Sequence, residues 1–399
     1  MIMNILIVSC VFPPEPVVSA KLSYDLANKL TENGNQVFLI SPKPTRPLNF
    51  NFISSEIKSE FKHEIVDSFT SPKSDILGRM RESYSFGKKC SNYIKYNRHS
   101  IDTIYINSWP LFSQYLIIKT AKKYNIPTIV HVQDIYPESI SNKLKIGGSL
   151  LQKIFQPMDK YILKNANKII CISENMKMHL SQTRKLPASK FQIVSNWQDE
   201  ESFIEYKKNA SVHDHTKEEF SFMYLGNNGP VAGVDFLIKS FAKAAIENSQ
   251  LIIAGSGSRT DACKELARDL GLDNVVFIPV PDGKVPEIQA QADVMLLPVK
   301  KGGAMSSIPS KLPAYMLSAK PIIGSLDLKS DTANAIVAAN CGIVIEPENE
   351  DYLVGAMREI RYFDKNKLIE MGENGFSYAM SNFSKSYNLK QIVNIITGI

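Results

Sequence analysis

At 399 residues, with 44% hydrophobic and 22% charged residues, the chain is long enough for two ordinary soluble domains and far from disordered or collagen-like compositions. A formal net charge of +6 is too mild to indicate nucleic acid as a partner. Cys10, Cys90, Cys171, Cys263 and Cys341 are scattered, odd in number and lack a CxxC pair, which argues against a disulfide framework and a zinc site.

The opening MIMNILIVSCVF has no basic leader and runs into a Pro-Pro-Glu-Pro turn, and no stretch approaches the roughly 18 apolar residues of a spanning helix. The protein is therefore expected on the cytoplasmic side, with contact to the inner face of a membrane left open. Met3–Phe12 is the first short apolar run. A helix from Lys21 to Asn33 follows, ended by Gly34. Gln36–Ile40 and Ile101–Ile106 are the next runs, then a helical period over Pro110–Tyr124, the run Thr128–Val132, a helix over Leu150–Asn165 and the run Lys168–Ile172. Short apolar runs alternating with amphipathic helices predict parallel strands covered on both faces.

The pattern pauses between Trp197 and Glu219, a polar stretch that reads as an interdomain linker. It restarts with Phe220–Leu225, Gln250–Ala254, Val275–Pro279, Val294–Leu297, Pro321–Ile323 and Gly342–Ile345, and Ser384–Ile396 forms a last helix. The expected organisation is an α/β lobe over residues 1–205, a linker over 206–219, a second α/β lobe over 220–383 and a terminal helix over 384–399.

Ligands of doubly wound sheets bind beyond the carboxyl ends of the strands, so the loops there hold the candidates. Gly226, Asn227, Asn228 and Gly229 follow the Phe220–Leu225 run and lead to a helix near Gly233–Asp235, an arrangement that lets backbone amides meet an anion. The alternative is a plain strand-to-helix turn. Gly255 and Gly257 follow the next run, but the third glycine of a dinucleotide fingerprint is missing, and no Gly-x-x-x-x-Gly-Lys-Ser/Thr loop occurs anywhere. Ser306, Ser307, Pro309 and Ser310 suit the start of a helix. Lys311 in its first turn is electrostatically misplaced unless an anion sits beside it; otherwise it is a solvated lysine. In the first lobe, Asp134 and Glu138 lie just past a predicted strand end and His131 within it, placed to orient or deprotonate a hydroxyl. Read blandly, they are a helix cap and a core histidine. No Asp-x-Asp motif is present, which points to diphosphate stabilisation by amides, helix dipole and lysine.

Between Lys73 and Arg98 basic residues, among them Arg79, Arg81, Lys88 and Lys89, alternate with Leu77, Tyr84, Phe86, Tyr93 and Tyr96. Cations mixed with rings suit a membrane interface; the competing reading is a solvated helix whose aromatics face the core.

In this order and spacing the pieces NILIVSCVFPPEPVVSA, LANKLTENGNQVFLIS, HVQDIYPES, NKIICISENM, YLGNNGPVAGVDFLI, LIIAGSGS, ADVMLLPVKKG, IPSKLPAYMLSAKPIIG and CGIVIEP resemble a family-4 glycosyltransferase, of the capsule, colanic-acid and O-antigen branch that includes fucosamine-type N-acetylamino-sugar transferases. The resemblance implies the GT-B fold: two Rossmann-like lobes facing a central cleft, the terminal helix crossing back to the first. It implies retaining transfer, without a metal or other cofactor, from a UDP-sugar in the second lobe to a polyprenyl-diphosphate-linked saccharide at the first. By position, Gly226, Asn227, Asn228 and Gly229 would lie near the diphosphate, Gly255 and Gly257 near the nucleotide, and Val280 and Pro281 beside the base. Ser307, Ser310 and Lys311 would lie at phosphate or sugar, and Asp134, His131 and Glu138 on the acceptor side. Three departures stand out. Ser306 and Ala314 occupy the places of two family glutamates, Val17-Val18-Ser19 replaces a glycine pair, and Pro230-Val231-Ala232-Gly233 replaces basic residues. A sugar-nucleotide epimerase of the same fold and a non-catalytic glycan-binding partner remain open as alternatives.

Overall fold

A computed structural model describes residues 2–15, 17–45, 60–71, 75–107, 111–141, 147–209, 219–305 and 308–398. The strands are β1 (Asn4–Ser9), β2 (Gln36–Pro42), β3 (Lys62–Val66), β4 (Thr103–Asn107), β5 (Thr128–Val132), β6 (Lys168–Cys171) and β7 (Phe191–Ile193). They continue with β8 (Phe220–Leu225), β9 (Ser249–Ala254), β10 (Val275–Ile278), β11 (Val294–Pro298), β12 (Ile322–Ser325) and β13 (Gly342–Ile345). One sheet has the order β3-β2-β1-β4-β5-β6-β7 and the other β10-β9-β8-β11-β12-β13. All pairings between these strands are parallel, with Ile5 opposite both Val37 and Thr103 in the first sheet and Met223 opposite Ile252 and Met295 in the second. Both sheets are therefore doubly wound, and in each the strand order reverses between the first and fourth strands of the unit, β1/β4 and β8/β11.

Apolar residues at successive strand positions force this arrangement. In the second sheet Phe222, Tyr224, Leu251 and Ile253 enter one buried cluster while Met223, Ile252, Met295 and Leu297 enter the other. Side chains alternate across a strand, so a run apolar at every position needs helices on both faces. Ile5, Leu6, Ile7 and Val8 are all wholly buried for the same reason. Gly34, at φ 85°, closes the first helix (Val18–Glu32) by donating to the carbonyl of Thr31, as its sequence position predicts.

Compact units fall at residues 1–195 plus 389–399 and at 196–388. The expected boundaries at 205 and 383 shift for local reasons. Glu201–Asn209 is a helix that buries Phe203, so the predicted linker begins inside an ordered element; residues 210–218 of it lie outside the described residues. The carboxylate of Glu200 accepts from the amides of Lys385 and Ser386, and Lys385 N–H donates to the carbonyl of Gln198. The first turn of the terminal helix (Lys385–Thr397) is thereby tied to the second unit, while its end, from Leu389 on, clusters with the first. Two strands escape the hydrophobic pattern: β3, the charged edge strand KHEIV, and β7, only three residues long.

Candidate active site

In the first unit a cavity of about 280 Å³ opens at the β1/β4 divide. Its walls come from the loop after β1 (Cys10, Glu15), from Ser19, Arg79 and Gln114 on helices, from Asn107 at the end of β4, and from His131, Gln133, Asp134 and Tyr136 at the end of β5; Asp159 also lines it. His131 is buried, and its Nδ1 lies 2.5 Å from the Tyr105 hydroxyl. Burial holds the imidazole down at about 4, so the ring is neutral near pH 7. With the Tyr105 phenol, which burial keeps protonated, as donor, Nδ1 accepts and Nε2 carries the hydrogen. That Nε2 is sealed from solvent and has no protein partner among the described residues, so in this state the ring can act there as a donor and not as a base. Ser19 donates to Gln133 Oε1 at 2.8 Å, tying the start of the first helix to the segment after β5.

Asp134 lines the cavity but is exposed, and among the described residues it accepts no capping bond. Glu138 behaves otherwise than its sequence position predicts. Both its oxygens are held by Arg184, Nη1 to Oε1 and Nη2 to Oε2 at 2.7 Å each, with His179 Nε2 3.3 Å from Oε1. Although partial burial opposes ionisation, these partners together drive the carboxyl down to about 2, and Glu138 does not line the cavity. It is an ion-paired anchor, not an acid or base. Arg79 also departs from expectation. It belongs to the helix Ile76–Tyr96, where positions 79, 82, 83, 86, 87, 90 and 94 form the inward stripe, and Glu82, Ser83, Phe86, Gly87, Cys90 and Ile94 are buried. Arg79 Nη1 reaches Glu82 at 3.5 Å and the side chain faces the cavity, so it leaves the outward basic patch. Phe86 and Tyr93 leave it too, packed in or against the core. Arg81, Lys88 and Lys89 remain exposed, beside Leu77, Tyr84 and Tyr96.

In the second unit the loops after β8 and β9 interlock through their glycines. A Cβ on Gly255 would stand 2.4 Å from the Gly226 carbonyl oxygen, and one on Gly257 would stand 2.3 Å from that of Asn228. The amides of Gly226, Asn228, Gly255 and Gly257 are each spent on a protein acceptor: the carbonyls of Ala254, Ser256 and Ile278 and the hydroxyl of Thr260. These glycines serve close packing of backbone on backbone, not the open amide cradle that the sequence predicts. Asn227 is exposed and Gly229 half-buried, so the turn itself stays accessible.

Lys311 begins the helix Lys311–Leu317. It is half-buried, and its Cε occupies the space that a Gly226 side chain would need, with Cε 2.2 Å from an added Cβ. Its Nζ stands 5.5 Å from the centre of the Tyr224 ring, and burial pulls its pKa down. Among the described residues it has no ion pair or hydrogen bond. Tyr315, one turn on, fixes the helix to β8: its hydroxyl donates to the carbonyl of Leu225 and accepts from that residue's amide, 2.9 Å each. Ser310 precedes Lys311 in αR conformation, is exposed and makes no cap bond. Val280 is half-buried and Pro281 exposed in the loop after β10. Ser307 lies outside the described residues. Among the described residues no three His, Cys, Asp or Glu side chains are grouped to hold a metal.

Sequence reasoning missed Asp159, Arg184, Tyr105 and Tyr315. Asp159 was discoverable: it lies three and four residues before Ile162 and Leu163, an acid on the buried stripe of its helix (Gly148–Asn165).

Two family models match the chain in succession, Glycosyltransferase Family 4 over residues 20–202 and Glycosyl transferases group 1 over 205–378. A putative colanic acid biosynthesis glycosyl transferase of Escherichia coli is 22% identical over 289 residues, 70% of this chain and 69% of that protein. A probable glycosyltransferase of Pseudomonas aeruginosa is 21% identical over 66% of each chain. Among solved structures, a glycosyltransferase from Rickettsia africae superposes with a TM-score of 0.70 at 16% identity, covering 100% of this chain and 98% of that one. The Anabaena protein HepE in complex with UDP gives 0.68 at 16% identity over 100% of both. Two doubly wound parallel sheets, each with its own family model, identify the chain as a GT-B glycosyltransferase that joins a Family 4 domain to a group 1 domain.

Proposed function

We infer that this glycosyltransferase moves an N-acetylated amino or deoxyamino sugar from a UDP-sugar to a polyprenyl-diphosphate-linked saccharide, with retention at the anomeric carbon and without a metal ion, in the assembly of a bacterial capsule or O-antigen. The second unit takes the donor and the first unit the acceptor. The observation that carries the donor half is Lys311, a half-buried cation at the β8/β11 divide with no counter-charge among the described residues. A desolvated ammonium is costly alone and strongly favourable beside a diphosphate. The absence of an Asp-x-Asp motif leaves charge neutralisation to this lysine. Val280 and Pro281 offer an apolar edge for the base. HepE was solved with UDP, and the Escherichia coli relative is described as acting in colanic acid biosynthesis; both agree with this donor and this product class. The outward face of Leu77, Arg81, Tyr84, Lys88 and Tyr96 supports docking on an anionic membrane surface, where a polyprenyl-linked acceptor resides.

The test is turnover of Lys311→Ala at saturating UDP-sugar with EDTA present throughout. Loss of a preformed charge contact to the leaving diphosphate is expected to lower kcat by about 10²–10³-fold. Wild-type turnover by the variant removes Lys311 from the chemistry, and loss of wild-type activity in EDTA that magnesium or manganese restores removes metal independence.

A further inference from the structure

The geometry points to Asp159 as the carboxylate that receives the acceptor's hydroxyl in the first-unit cavity, a role its sequence position does not announce. This rests on the reading that the first unit holds the acceptor.

Asp159 is 7% exposed and lines the cavity. Its Oδ2 accepts from Arg184 Nε at 2.6 Å. Arg184 is wholly buried, and its other nitrogens are committed elsewhere: Nη1 donates to Glu138 Oε1 and Thr183 Oγ1, Nη2 to Glu138 Oε2 and the carbonyl of Tyr136. A guanidinium has five N–H donors, and all are now used. Glu138 takes the two-pronged contact and neutralises the arginine. Asp159 is left as a surplus negative charge, with Oδ1 lacking a protein donor among the described residues. That oxygen is not among the buried atoms sealed from solvent, so water reaches it, and a sugar hydroxyl can replace the water as its donor. The buried Nε2 of His131, in the wall of the same cavity, is also without a partner among the described residues. The cavity wall thus holds an acceptor in Asp159 and a donor in His131, the two kinds of group with which sugar hydroxyls pair.

Desolvation pushes Asp159 up to about 6 even though Arg184 opposes it, while Glu138 on the same arginine falls to about 2. Burial of Asp159 and the two-pronged hold of Arg184 on Glu138 set the two carboxylates apart, a fixed anchor and a group that titrates near working pH. Arg184 and Glu138 act on Asp159 directly; Arg79, Asp134, His131 and Glu15 share the cavity walls.

Asp159→Asn keeps a carbonyl oxygen for Arg184 Nε and puts an amide donor in place of the second oxygen. Because the folded-state pKa of Asp159 lies above its ordinary value of 3.8, ionising it costs stability as pH rises through about 6. The variant is therefore expected to match wild type in denaturant midpoint near pH 4 and to exceed it above pH 6. Kinetics use a synthetic prenyl-diphosphate N-acetylhexosamine as acceptor and a panel of UDP-sugars. Wild-type kcat/KM for acceptor is expected to fall as pH drops through about 6. In the variant, acceptor KM rises at least about tenfold and donor KM stays unchanged. An unchanged acceptor KM, or donor and acceptor parameters falling together with stability, overturns the assignment. The two readings fail separately: donor-site chemistry falls on Lys311→Ala, while acceptor recognition by Asp159 falls on the KM split.

Discussion

The two units share a strand order and treat charge in opposite ways. Behind the cavity at the β1/β4 divide of the first unit, Arg184 is held by more carboxylate than it can neutralise, and one oxygen of Asp159 is left without a protein donor among the described residues. At the β8/β11 divide of the second unit, a lysine is surrounded by no carboxylate among the described residues and rests against an aromatic ring. The first arrangement suits a ligand that donates hydrogen bonds, the second a ligand that brings negative charge. One topology thus supports two recognition chemistries because the strand ends fix where a ligand sits, while a few loop and helix side chains fix what it is.

The largest expected effect lies in the first unit. Arg184→Met keeps much of the volume but strands Glu138 and Asp159 as buried charges. Breaking such a network costs about 3–5 kcal/mol, to be read by denaturant unfolding at pH 7. Glu138 sits below its ordinary value, so it contributes stability above pH 4.5, which fades as pH falls toward about 2. The gap between variant and wild type should therefore narrow at pH 4, where the stranded carboxylates take up protons. A gap that is equally large at both pH values would mean that Arg184 acts through packing, and the contrast between the two units would lose its electrostatic basis.

Much of the fold was legible because its strands are apolar at every position: β5, β8 and β13 fall where the runs Thr128–Val132, Phe220–Leu225 and Gly342–Ile345 predict. The charged edge strand β3 was hidden because an edge needs no apolar run. At the sites, position along the chain was legible and commitment was not. The sequence brings His131, Asp134 and Glu138 to one strand end, but Arg184, 46 residues beyond Glu138, decides that Glu138 is spent. The glycines after β8 and β9 were legible as close approaches, yet what they approach is each other's backbone. Arg79 was misread because a run of basic residues conceals helical phase, and only the inward stripe separates it from Arg81.

The outward face of the Ile76–Tyr96 helix sharpens the comparison on another scale. Here the first unit carries positive charge on its surface rather than in a pocket. Leu77 is 78% exposed and Tyr96 79%, beside Arg81, Lys88 and Lys89. Each cation near an anionic bilayer contributes about 1 kcal/mol. Replacing Arg81, Lys88 and Lys89 with glutamine is expected to weaken partition onto phosphatidylserine vesicles about a hundredfold at low salt and to change little on zwitterionic ones. Equal, salt-independent sedimentation of the two proteins refutes the face as a membrane contact.

The smallest expected effect separates the mouth of the first-unit cavity from its floor. Asp134 and Asp159 line the same cavity, but Asp134 is exposed and Asp159 is buried. Water competes for every hydrogen bond that an exposed carboxylate makes, so such a bond nets about 0.5–1 kcal/mol, a few-fold in rate or affinity. A buried carboxylate lacking a protein donor gains more, because a hydrogen bond is stronger in low-dielectric surroundings. Asp134→Asn is therefore expected to change acceptor kcat/KM by no more than about fivefold and to leave the acid limb of the pH profile in place. The measurement is the full pH profile of both variants with the same acceptor. A loss of a hundredfold or more at Asp134, with the limb abolished there and intact in Asp159→Asn, would move the reacting carboxylate from the floor to the mouth. The surplus charge on Asp159 would then be only the consequence of two acids sharing one arginine.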